Sequence, residues 1–343
     1  MPSTVSPQAN ARERALALLQ GQRVAPPVFT GLSVATLAAM RRLGLQPARI
    51  HQEAAAMAAV AAEAVERYGF DGVAVPFDLM VEAEALGATV DYSNEFDGYV
   101  YPAPDTRLVE EVGDVRWPSA VADRGRVPVV CEAIQRLRQR LGPDRPLGAW
   151  VCGPYTLATQ LVEPAELLVR STAEPEAVRG LLEGLVPAIA DVASAYRSAG
   201  ADFITVHEMG GSPSLVGPRL FDEVVRAPLA ALVRQLPAPV VVSVCGQALP
   251  VIDALATSGA AAIHVDHQTD LAAARARLGP NAVLLGNVDP LGVIGQGTPE
   301  AIVAAVRAAR RAGASAVWPG CDLFSGSPEE NLRAFVAACR AEE

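Results

Sequence analysis

Eight short apolar runs recur along the chain, most followed by an Ala-, Arg- and Glu-rich stretch with helical spacing. This alternation constrains the fold more than any other feature. The runs are PPVFTGLS (26–33), DGVAVPFD (71–78), PLGAWVCG (146–153), ADFITVHE (201–208), PVVVSVCG (239–246), GAAAIHVDH (259–267), NAVLLGNVD (281–289) and ASAVWPGCD (314–322). Several helical stretches stop at a glycine just before the next run: Gly69, Gly200, Gly259 and Gly313. Strands buried on both faces of a parallel sheet read as such unbroken apolar runs, so the pattern predicts a (β/α)8 TIM barrel with an N-terminal helical extension. A doubly wound sheet would need a glycine-rich turn after its first strand, and GLSVAT is not one. Residues 79–130 are less periodic and place Tyr92, Phe96, Tyr99 and Tyr101 among turn residues, which predicts an insertion covering the barrel mouth. The expected organisation is a disordered tail over 1–10 and a single barrel domain over 11–343.

Composition removes whole classes of function. All 28 basic residues are Arg, so Schiff-base chemistry, pyridoxal phosphate anchoring and a Walker-type phosphate loop, each of which needs a lysine amine, are excluded. A net charge of -10 argues against nucleic acid as a partner. No apolar run reaches the roughly 18 residues of a membrane span, and the first ten residues lack the features of a signal peptide, so a cytoplasmic location is expected.

Barrel active sites lie at the C-terminal ends of the strands. Those ends hold Asp78, Cys152, His207, Glu208, Ser243, Cys245, Asp266, His267, Asn287, Asp289, Cys321 and Asp322. Five widely spaced cysteines do not suggest a disulfide framework. Two of them, Cys245 and Cys321, close runs, as do His207 and His267, and a barrel brings such ends into one pocket. Thiolates and imidazoles converging on one ion suit zinc. The competing reading is that each cysteine packs as a small hydrophobe, and it stands for Cys131 and Cys339, which fall in helical patterns. Cys152 fits either reading. His264 is expected as a satisfied wall residue and His51 as a solvated residue opening a helix.

From ARERALALLQGQ (11–22) almost to the C-terminus, the chain resembles the uroporphyrinogen decarboxylase superfamily, and within it the methylcobamide:coenzyme M methyltransferases. The pieces that carry the resemblance are VPFDLMVEAEALG (75–87), CGPYTLATQL (152–161), LLGNVDPLGVIGQGTPE (284–300) and WPGCDLFSGSPEENL (318–332). Asp78 matches the decarboxylase aspartate. The decarboxylases' Arg-rich N-terminal motif is missing, Gln160 stands where their Tyr would fall, and Cys321 where their His would fall.

The resemblance implies a methyl transfer from a methylated corrinoid, carried by a corrinoid protein, to a small thiol such as coenzyme M activated by zinc. The methyltransferases hold that zinc with a His-x-Cys motif and a distant Cys. Here the motif reads Ser243-Val244-Cys245 with Cys321, so both cysteines match and the histidine is Ser. Glu208, His207 and His267 are the candidates to complete the set, Glu208 favoured by its parity along its strand. Asp78 and Glu208 are the expected catalytic carboxylates; Gln160, Asn287 and Asp289 are expected at the corrinoid-facing mouth, with a turn cap as the alternative for Asp289. A lyase acting on a tetrapyrrole and a non-catalytic corrinoid-binding barrel are the alternative functions, and a homo-oligomer is compatible with the sequence.

Overall fold

The computed structural model describes residues 9–110 and 117–341. Of the tail expected over 1–10, residues 1–8 lie outside the described residues, while Asn10 caps the first helix, α1 (Ala11–Leu19). The Asn10 side chain accepts from the Glu13 amide at 2.9 Å, and the Glu13 carboxylate accepts from the Asn10 amide at 3.0 Å.

Six of the eight apolar runs form one parallel sheet in sequential order: β1 (Val73–Val75), β2 (Leu147–Cys152), β3 (Phe203–Glu208), β4 (Val240–Val244), β5 (Ala262–Val265) and β6 (Leu284–Leu285). The run at 314–322 continues the wall through two isolated parallel bridges, Leu285 to Ala316 and Val288 to Pro319. The run at 26–33 forms no strand, contrary to expectation. Pro26 and Pro27 have no N–H to donate to a ladder. The segment is held instead by the Asp71 amide donating to the Val28 carbonyl at 2.6 Å and the Val28 amide donating to the Asp71 carboxylate at 2.7 Å. Its Phe29 ring packs edge-on against Phe203 and Trp318, so the first and eighth runs meet inside the barrel. Gly31 permits that approach: a Cβ there would lie 2.3 Å from Thr205 Oγ1.

Successive side chains alternate across the wall. On β3, Phe203 joins an interior cluster with Phe29, Val241, Ala262, Leu285 and Trp318, which Ala15, Leu18 and Leu19 of α1 close from the N-terminal end of the strands. The intervening Ile204 and Val206 pack in the larger outer cluster with the helices.

The segment expected as an insertion holds a short buried helix, α2 (Val81–Leu86), and two small antiparallel pairs, Val90–Asp91 with Ala103–Pro104 and Glu95–Phe96 with Tyr99–Val100. Part of it, 111–116, lies outside the described residues. Helix α3 (Val127–Leu141) starts inside the expected bounds of the insertion. After β2 come α4 (Pro154–Leu161) and the long α5 (Pro175–Ala199), which ends on Gly200 at a φ of 116°, a left-handed turn that only glycine adopts without strain. No helix among the described residues is long and apolar enough to cross a membrane.

Candidate metal centre

The sheet register sets three polar side chains at one level of the barrel interior: His207 pairs with Ser243 across β3 and β4, and Ser243 with His264 across β4 and β5. All three are buried and joined in a chain. His207 Nδ1 lies 3.2 Å from Ser243 Oγ, Ser243 Oγ lies 2.8 Å from His264 Nδ1, and His264 Nε2 lies 2.8 Å from the Pro319 carbonyl.

The direction of this chain follows from its last member. A carbonyl only accepts, so His264 Nε2 carries the proton. Burial pushes His264 down to about 4, which keeps the ring neutral and leaves Nδ1 as an acceptor. The Ser243 hydroxyl therefore donates to His264, and its oxygen accepts from His207 Nδ1–H. The Nε2 of His207 then faces the strand ends, 3.9 Å from Cys245 Sγ.

Cys245 follows β4 and Cys321 follows the eighth run; their sulfurs lie 3.1 Å apart. His207, Cys245 and Cys321 each offer one ligand atom, all within 4.8 Å of one another. In the metal-free protein the pair shares a proton. The hydrogen bond from Cys245, reinforced by His207, brings Cys321 down to about 6, while that same bond together with burial holds the Cys245 thiol well above its ordinary value. Burial lowers His207, but the neighbouring Cys321 thiolate outweighs it by favouring the charged ring, in which Nε2 carries a proton as well, and the net direction is upward.

Glu208, favoured from the sequence as the third ligand, is one residue on and faces the opposite side of the wall. Its Oε1 accepts from the Thr156 amide at 2.9 Å, the Thr156 hydroxyl at 2.6 Å and the Gly211 amide at 3.0 Å, and its Oε2 from the Tyr155 amide at 3.1 Å. It thus anchors the first turn of α4, where amides lack intrahelical partners. The histidine at 207, not the carboxylate at 208, meets the cysteines. His267, the third candidate, stands outside the cluster, with Nδ1 2.9 Å from Asp266 Oδ1 and Nε2 3.8 Å from Asp289 Oδ2.

Asp78 is buried and fully engaged. Arg126 grips both its oxygens at 2.8 and 2.9 Å, His51 Nδ1 lies 2.8 Å from Oδ2, and the Met80 amide donates to Oδ1 at 2.9 Å. Although burial opposes ionisation, the Arg126 charge holds this carboxyl far below the usual carboxylate range. Its carboxylate has no proton to exchange at neutral pH. His51, expected to be solvated, is buried, and its Nε2 meets the Val100 carbonyl at 3.0 Å. Its partners lie 27 and 49 residues away, beyond any local pattern. His264 is the satisfied wall residue expected from the sequence; the chain joining it through Ser243 to His207, and the grip of Arg126 on Asp78, are contacts that no motif signalled.

A cavity of about 300 Å³ adjoins the cluster through Asp322, which follows Cys321, and Trp150, whose ring centroid lies 5.9 Å from that of His207; Phe77, Asp78, Tyr99, Tyr101, Gln160 and Met209 also line it. Gln160 is thereby at the mouth, its amide donating to Thr159 Oγ1 at 3.0 Å. Asn287 is a scaffold residue, donating to the Asp266 and Thr269 carbonyls at 3.1 and 2.8 Å. Asp289 caps the following turn, accepting from the Leu291 and Gly292 amides at 2.9 Å.

Residues 10–342 match the family model described as uroporphyrinogen decarboxylase (URO-D). A methylcobamide:CoM methyltransferase of Methanosarcina barkeri is 27% identical over 330 residues, covering 95% of this chain and 96% of that one. A uroporphyrinogen decarboxylase of Cellvibrio japonicus is 29% identical over 263 residues, covering 72% and 70%. A solved methyltransferase structure from Methanosarcina mazei superposes with a TM-score of 0.91 at 27% identity, covering 96% of this chain and 98% of that one.

Proposed function

The chain belongs to the uroporphyrinogen decarboxylase family, and within it we propose that this member is a zinc-dependent methyltransferase, moving a methyl group from a protein-bound methylcorrinoid to a thiol. The observation that carries this reading is the convergence of His207, Cys245 and Cys321, each offering one ligand atom within 4.8 Å of the others. The methyltransferase relatives named for methylcobamide and coenzyme M, covering nearly the whole chain, support it.

The donor set fits zinc. Two thiolates at zinc–sulfur distances of about 2.3 Å in a tetrahedron stand about 3.8 Å apart, so the cysteine pair needs to open by only about 0.7 Å. One imidazole and two thiolates leave a fourth position, the arrangement of a zinc site that takes a substrate. Zinc bound there would supply a deprotonated yet nucleophilic acceptor thiol at neutral pH. His207, Cys245 and Cys321 would hold that metal, and overall a methyl–sulfur bond would replace the donor's methyl–cobalt bond, the donor keeping the bonding electron pair and the thiol proton leaving to solvent.

The remaining work falls to the chain. The Ser243–His264 relay presents a lone pair at His207 Nε2. Trp150 and Met209 wall the acceptor's carbon skeleton, and the aromatic pair Tyr99 and Tyr101 narrows the opening through which the corrinoid protein presents its methyl group. Asp78 and Glu208 act as positioning residues, the first tying the insertion to β1 and the second anchoring α4. A decarboxylase reading would need Asp78 free for substrate, whereas Arg126 and His51 occupy it.

Metal analysis tests the proposal. Purified protein is expected to hold about one zinc per chain, lost in His207→Ala, Cys245→Ser and Cys321→Ser, and to methylate thiols from methylcobalamin only when loaded. A protein that keeps no metal, with these substitutions without effect, overturns it.

A further inference from the structure

We propose that the thiol accepted at this site bears no negative charge, and that its headgroup is a hydroxyl or an ammonium directed at Asp322. This rests on the methyl-transfer reading and narrows it.

The cavity that would hold the acceptor is lined by two carboxylates, Asp78 and Asp322, and by no cationic side chain among the described residues. The guanidinium that touches the lining carboxylate Asp78, that of Arg126, is spent: it donates to both oxygens of Asp78, to Glu84 and to the His51 carbonyl. Arg126 is thus shared between the carboxylates of Asp78 and Glu84 rather than held for a ligand. Asp322 is different. Its Oδ1 accepts from the Ser33 amide at 3.0 Å and the Ser33 hydroxyl at 2.8 Å, while its Oδ2 has no hydrogen-bond donor and no cation among the described residues.

Asp322 follows Cys321 in the chain, and its charge is felt at both Cys321 and His207. A short thiol with its sulfur at the cysteines must place its other end close to this half-buried carboxylate. An anionic headgroup would meet a like charge where water screens poorly. An ammonium would be neutralised by Oδ2, and a hydroxyl would donate to it. The rest of the lining, the Tyr99 and Tyr101 phenols, the Gln160 amide and Ser325, offers hydrogen bonds without charge. Burial and the neighbouring charges of Asp78 and Asp322 keep the Tyr99 phenol protonated.

Three thiols on the same two-carbon skeleton test this: cysteamine, 2-mercaptoethanol and 2-mercaptoethanesulfonate. Titration calorimetry of their S-methylated products against the metal-free chain reads the headgroup preference without zinc or turnover. The ammonium and hydroxyl compounds are expected to bind about tenfold or more tightly than the sulfonate. The zinc-loaded chain with methylcobalamin should rank kcat/KM the same way. Asp322→Asn keeps an acceptor for Ser33 while removing the charge, and should shrink the gap to about threefold or less. A sulfonate that binds best, or a gap unchanged in Asp322→Asn, overturns the assignment. If the binding order holds but no thiol is methylated, the headgroup preference stands and the methyl-transfer reading falls.

Discussion

Ser243 occupies the place where the resemblance implies a zinc-ligating histidine, and a hydroxyl is a poor ligand for zinc. In the proposed site the imidazole comes from one strand over, from His207, and the serine is its hydrogen-bond partner. Groups that orient a metal-bound imidazole typically account for 10- to 100-fold in metal affinity. Ser243→Ala removes the acceptor of the His207 Nδ1 proton, allowing the ring to exchange tautomers or turn. Zinc affinity measured by chelator competition is accordingly expected to fall by about tenfold or more. Nitrogen chemical shifts of the metal-free protein, taken at a pH high enough to leave the ring neutral, should show His207 protonated at Nδ1 in the native chain and mixed in the variant. Undiminished affinity together with an unchanged tautomer would show that the relay is only packing.

At the scale of elements, β3 sorts chemistry by parity: His207 enters the barrel and Glu208 the strand–helix seam. Because the side-chain period is two, misjudging phase by one residue exchanges the faces completely. That is why the sequence brought both residues to one strand end yet favoured Glu208, the neighbour that faces away from the cysteines. The strand ends themselves were legible, since buried parallel strands are apolar throughout and a polar residue at their close stands out: Cys245, Cys321 and His207 were found in this way. The run at 26–33 looked equally strand-like, but two prolines remove ladder donors, and tertiary packing of Phe29 determines its path. The Asp78–His51–Arg126 clasp was illegible for another reason. Its members come from an N-terminal helix, β1's end and the start of α3, and only the folded chain brings them together. The seam placement of Glu208 predicts that Glu208→Gln retains about one zinc per chain but turns an amide N–H₂ toward one of four donors. The expected cost is about 1–3 kcal/mol in urea unfolding. Loss of zinc in that variant would return Glu208 to the ligand set.

Across the whole molecule, buried titrating groups shape stability in opposite senses, and their signs can be separated. Asp78 is held far below its ordinary value, so its stabilisation is complete above pH 4 and disappears only in strong acid; it adds no slope near neutrality. Glu82 is the reverse. It lies wholly buried on α2, Oε1 accepting from the Cys152 amide at 3.0 Å and Oε2 without a partner, and burial pushes it from 4.5 to about 7. Between those pH values the unfolded chain has released this proton while the folded chain retains it, so stability declines with rising pH, by about 3 kcal/mol in all. His264, lowered from 6.5 to about 4, works against it: the unfolded chain binds a proton that the folded chain refuses, so stability rises with pH between those limits by a similar amount. The two contributions nearly cancel from pH 4.5 to 6.5. Glu82→Gln keeps a carbonyl acceptor for the Cys152 amide and removes the titration. Relative to the native chain, with zinc chelated from both, the variant should gain about 3 kcal/mol between pH 4.5 and 7 and hold that difference constant above. Urea unfolding at half-unit pH steps reads it directly, and a difference that is flat across this range would mean that Glu82 is already ionised in the folded protein, with its unpartnered oxygen neutralised by a group or water that the seam admits.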